Sequence, residues 1–194
     1  MTIESQTFSI NFGNLFQDSV PGLTLWLDGN DVNHDQLPDT TNDFINGNLI
    51  SLWADKSGKN NSPVQAEFSK MPTLNYDALQ GRGIVSFDAT TDDHLDLREN
   101  ITDFSTVFVV LRSSEHTDSL LFGGDIKLTS PTGELLFSYN NQNPTINSLK
   151  PANSWSIVCF GVKISAQNLW IDGDLIGSSI SQSLPSPLDS VGTN

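Results

Sequence analysis

The stretch NLWIDGDLIGS, residues 168–178, decides the fold class of this chain. Asp172-Gly173 stands between two apolar runs. A two-residue hairpin turn needs positive φ at its centre, which an Asp-Gly pair tolerates well. The segment therefore predicts a tight β-hairpin, and its pattern recurs through the chain. Short runs rich in β-branched and aromatic residues alternate with clusters of Gly, Pro, Asn, Asp and Ser, while helical periodicity is almost absent. Strands are expected at 23–27, 49–53, 83–87, 94–97, 105–112, 119–123, 134–139, 154–164 and 168–172. That many short strands predict an all-β protein, a two-sheet antiparallel jelly-roll sandwich. Residues 20–194 are expected to form it as one domain. Residues 1–19 form an N-terminal segment, in which Phe8, Ile10 and Phe12 at period two suit an extra strand or else a disordered leader.

Composition narrows the partners. Nine Lys and Arg stand against twenty-three acids, a net charge of −14. Such a surface repels phosphate and no basic cluster interrupts it, so nucleic acid is not an expected partner. No run approaches the length of a membrane span. Residues 1–13 lack the pattern of a signal peptide. The single cysteine, Cys159, lies in the apolar run SIVCFGV and reads as a small core residue. The excess of acid is mostly aspartate, a residue of loops and of hard-cation ligation.

The order of motifs is PGLTLWLDGNDV (21–32), LWADKSGKNN (52–61), GIVSFDATTDDHLDL (83–97), FSTVFVVLR (104–112), SWSIVCFGV (154–162) and then the hairpin. It resembles the LamG-like jelly roll of the concanavalin A-like lectin/glucanase superfamily. Trp53, Asp55, Ser57, Gly58 and Asn61 match that family's W-x-D-x-S-G-x-x-N turn. Phe87, Asp88, Asp92 and Asp93 match its F-D/N-G-x-x-D strand end, and Trp170, Asp172 and Gly173 its late hairpin. Ala89 replaces the usual glycine, and PLDSVGTN (187–194) follows where closing strands are expected. The resemblance therefore implies a sandwich lacking its usual closing C-terminal strands, either because the sequence is a fragment or with residues 8–12 or another subunit covering the gap. It also implies carbohydrate or protein ligands, often with calcium.

Catalytic chemistry is not expected. A glycosidase needs two carboxylates close together, and hydrolases of this fold carry them as E-x-D-x-x-E or E-x-D-x-E on one strand. Glu4, Glu67, Glu99, Glu115 and Glu134 are the chain's glutamates, and none sits in such a pattern. His34, His94 and His116 have no metal-ligand spacing.

Two acidic loops are candidate calcium sites. Asp31, Asn33, Asp35 and Asp39 follow the alternation of an EF-hand-type loop. Gln36 stands where that loop has glycine, and Asn42 where it has a bidentate glutamate. The second candidate is Asp88, Asp92 and Asp93, with Asp55 brought alongside by the resemblance. In both loops the competing reading is that the carboxylates cap their own turns. The tryptophans at 26, 53, 155 and 170 read as core, and Tyr139, Asn140, Asn141 and Asn143 as a ligand-facing rim.

Together these features predict a non-enzymatic recognition or adhesion module for carbohydrate or cell-surface ligands, with calcium-supported loops. Its expected setting is extracellular, on a cell surface or on a virion. The alternatives are a structural decoration or attachment protein of a phage virion, and then a glycoside hydrolase.

Overall fold

The structure, a computed structural model, describes residues 20–36, 39, 45–79, 82–112, 119–122, 126–129, 136–138, 154–163, 166–179 and 187–192. A small sheet is built from β1 (Asn48–Leu49), β2 (Thr73–Leu79) and β3 (Arg82–Ser86), in that order. Next along the chain come β4 (His94–Ile101), β5 (Thr106–Leu111), β6 (Ser119–Phe122), β7 (Ile126–Thr129) and β8 (Leu136–Ser138). The last four strands are β9 (Ser156–Lys163), β10 (Ala166–Ile171), β11 (Asp174–Ser179) and β12 (Leu188–Gly192). A four-stranded sheet runs β11-β10-β9-β5 and a five-stranded sheet β4-β12-β6-β7-β8. Every pairing is antiparallel. No helix among the described residues is long and apolar enough to cross a membrane.

The core lies between the two larger sheets. Leu97 and Ile101 of β4 and Leu188 and Val191 of β12 meet Val158, Phe160, Leu169 and Ile171 of β9 and β10. A second cluster, Val32, Ile50, Leu74 and Leu95, joins the small sheet to β4, and Phe87 packs against both clusters. The molecule is thus the expected all-β, antiparallel jelly-roll sandwich. The expected Asp172-Gly173 hairpin is present, with φ of 51° and 92° between β10 and β11.

Three expectations change. Residues 23–27 form no strand, although Leu25 and Leu27 still face the core. Trp26 there donates its N–H to the Asp55 carboxylate and accepts from the Lys56 N–H, so a turn takes the place of a ladder. The strand expected at 49–53 shrinks to β1, because Ile50 and Trp53 donate to the carbonyls of Pro72 and Pro63. Proline has no N–H to return, so the ladder stops. The closing strand thought to be missing is β12, seated between β4 and β6. Its Leu-Asp-Ser-Val-Gly sequence lacks a β-branched run, and a register shift between Leu188 and Ser190 hides its alternation. The strand proposed at residues 8–12 lies outside the described residues.

Candidate functional site

The acidic loops use their carboxylates on the protein itself. Asp31 accepts hydrogen bonds from the N–H groups of Asp35 and Gln36, Asn33 accepts from Asp35, and Asp39 from Val32. Gln36 holds φ at 70°, the left-handed conformation for which an EF-hand loop keeps glycine. Lys56 reaches into this loop, its Nζ 2.8 Å from Asp31 and 3.1 Å from Asp28, and lies 5.1 Å over the Trp26 ring. Burial pulls the Lys56 pKa down, but hydrogen bonds to Asp31 and Asp28, with their charges, hold it above the ordinary lysine value.

The W-x-D-x-S-G-x-x-N turn is structural in the same sense. Asp55 accepts from the N–H groups of Trp26, Ser57 and Asn61 and from the Ser57 hydroxyl. Asn61 bridges to β4 by exchanging two bonds with the Glu99 backbone, at 2.7 and 2.9 Å. In the second loop, Asp88 accepts from the Thr90 N–H and hydroxyl. Asp93 accepts from the Asp88 N–H and the Thr91 hydroxyl, and Asp92 pairs with Lys70 at 3.2 Å. Among the described residues no three His, Cys, Asp or Glu side chains gather as metal ligands would. The rim at Tyr139, Asn140, Asn141 and Asn143 lies outside the described residues.

A different surface stands out on the outer face of the four-stranded sheet. In β5, Val107, Val109 and Leu111 pack on the core, which turns Thr106, Phe108 and Val110 outward. In β9 the buried Val158 and Phe160 turn Ile157, Cys159 and Gly161 to the same side. The register then aligns Leu175, Trp170, Cys159 and Phe108 in one row across four strands. Ile157 and Val110 form the next row, and Ser178, Asn168, Gly161 and Thr106 a polar row beyond. Phe108 is 73% exposed, Leu175 58%, Val110 54% and Ile157 47%. A Cβ on Gly161 would sit 3.0 Å from the Trp170 ring, so glycine leaves room for that ring to lie across β9. At the end of the face, the Arg112 guanidinium lies 5.2 Å over the ring of Trp155.

Trp155, Trp170 and Cys159 are therefore half-buried members of an outer face and not core residues. Burial pushes the Cys159 thiol up, which makes it a poor nucleophile. A signal for this face was present in STVFVVLR. A strand with one solvated side alternates apolar and polar residues, whereas Val107 to Leu111 is apolar at every position.

No protein-family profile and no curated protein matches the chain. Solved structures of similar fold include a β-glucanase of Bacillus licheniformis, at 13% identity and a TM-score of 0.39, covering 77% of this chain and 74% of that one. A prokaryotic β-1,3-1,4-glucanase (lichenase) from a mouse hindgut metagenome gives 10% identity and a TM-score of 0.39, with 77% and 75% covered. The κ-carrageenase of Pseudoalteromonas carrageenovora, solved with an oligotetrasaccharide of κ-carrageenan, gives 10% and 0.35, with 90% and 83% covered. These findings correct the expectation of a non-catalytic recognition or adhesion module. The named neighbours are a β-glucanase, a lichenase and a κ-carrageenase. Likenesses this distant carry no argument about its own substrate.

Proposed function

We propose that the protein is carbohydrate-active and holds a glycan chain on the outer face of the four-stranded sheet. The carrying observation is the outward-facing row Leu175–Trp170–Cys159–Phe108, exposed at Leu175 and Phe108, lying beside the polar row Ser178–Asn168–Thr106. Sugar rings present apolar C–H faces that stack on aromatic side chains, while their hydroxyls take hydrogen bonds from amides and hydroxyls at the edge. The face runs from Thr106 to Arg112, about 20 Å at ~3.4 Å per residue, which suits an oligosaccharide better than a single sugar. The LamG-like form of the fold, supported by the Trp53–Asn61 turn, and an extracellular, cell-surface or virion-surface setting belong to the same proposal.

The test is affinity electrophoresis through linear glucans and galactans, with release of reducing ends measured in parallel. Retardation by at least one polymer is expected, and Phe108→Ala should weaken it about tenfold, the loss of roughly 1.4 kcal/mol of stacking. Phe108 is largely exposed, so its melting temperature should stay near that of the wild type. Release of reducing ends that falls in the same variant makes the bound glycan a substrate. No retardation and no cleavage across the panel, or a Phe108→Ala protein that binds as before, would sink the proposal.

A further inference from the structure

Resting on that reading of the face, we propose that Arg112 stacked on Trp155 is an anion subsite, selecting glycans that carry a carboxylate or a sulfate. The chain has fourteen more acids than bases, so its cations are scarce. Among the described residues, carboxylates engage Lys56, Lys70 and His94, and none engages Arg112. Arg112 is exposed, and its described contact is the indole ring beneath the guanidinium. Stacking holds the planar guanidinium against the ring and leaves its N–H edge free to grip an oxyanion in bidentate fashion.

Position adds to chemistry. Arg112 follows β5 directly, in line with Phe108 and Val110 on the outward side. A sugar chain lying on those residues would bring its substituents to the guanidinium. The protein's overall negative charge does not forbid this. The Asp172 carboxylate beside this face is engaged by the Ile157 N–H of β9, at 2.8 Å.

Dissociation constants for size-matched neutral, uronate-bearing and sulfated oligosaccharides test the idea on the full chain and on Arg112→Gln and Arg112→Lys. The wild type should prefer an anionic oligosaccharide to its neutral counterpart by about tenfold to a hundredfold, the scale of a charge-assisted hydrogen bond. Arg112→Gln should erase that preference and Arg112→Lys restore part of it. The uronate and sulfate arms say which oxyanion is read, and the preferred arm should weaken with added salt. Equal binding of neutral and anionic chains by the wild type, or a preference that survives Arg112→Gln, overturns the subsite and leaves the glycan reading standing. Failure of every oligosaccharide to bind overturns both.

Discussion

Gly192→Ala tests whether β12 is seated as described. Gly192 lies opposite His94 in the β12–β4 ladder with φ of 115°, a conformation that side chains rarely adopt. A methyl group there would stand 2.7 Å from the Asp93 carbonyl oxygen and 2.7 Å from Cε1 of Phe87, with Cδ1 of that ring nearer still. Phe87 packs against both core clusters, so the ring has little room to retreat. Backbone strain costs about 1–2 kcal/mol and overpacking about 1–3 kcal/mol more. The sum, about 2–5 kcal/mol, lowers the melting midpoint by roughly 5–15 °C in a chain of this size. Gly173→Ala is the matched control, with φ of 92° and nothing within 4 Å of the added carbon. It should lose only the strain, about 1–2 kcal/mol. Urea and thermal unfolding of both variants give the comparison. Equal losses, or a Gly192→Ala protein melting within a degree of wild type, would mean that residue 192 does not lie against Phe87.

Two further perturbations address the acidic loops. Lys56→Met strips the counter-charge from Asp31, whose side chain is 5% exposed. The expected loss is about 2–3 kcal/mol, below the ~3–5 kcal/mol of a fully buried pair because Asp28 keeps contact with water. The Lys56 pKa is raised on folding, so its contribution is complete below the unfolded lysine value of about 10.4 and disappears as pH climbs through the folded value. Urea midpoints of wild type and Lys56→Met should therefore differ at pH 8 and converge as pH rises past the raised lysine value; a gap that is constant with pH would refute the pairing. Calcium at the candidate loop Asp31–Asp39 has its own measurement. With a Kd near 1 mM, about 5 mM calcium would stabilise by about 1 kcal/mol, a midpoint rise of roughly 2–4 °C over EDTA. An unchanged midpoint removes the site.

The parts of this molecule legible in its sequence are those where chemistry is local. The Asp172-Gly173 turn was readable because positive φ at two adjacent positions admits few residues. The long runs of β5 and β9 were readable because β-branched residues fill them. By contrast, β12 was hidden because its pairing with β4 joins residues more than eighty apart, and its own composition is ordinary. Asp31, Asp35 and Asp55 suit both turn capping and cation binding in the sequence, because the two uses draw on the same oxygens. Only the positions of the partner N–H groups and of Lys56 distinguish the two. The outer face was missed because Trp155 and Trp170 were assigned by residue type, whereas register and the neighbouring Gly161 decide which way a strand tryptophan faces.

The place of β12 in its sheet has a consequence during synthesis. Residues 188–192 separate β4 from β6, so neither strand finds its partner on that side until the ribosome has reached them. At ~5–20 residues per second, the edge of β4, complete at Ile101, waits on the order of 5–20 s. Unpaired edges recruit strands from other chains, and nascent copies on one message lie close together. A chain interrupted before residue 188 would carry a sheet with its second strand missing. Yield from a recombinant host should then depend on how quickly the codons between residues 101 and 192 are read, quite apart from the stability of the folded protein.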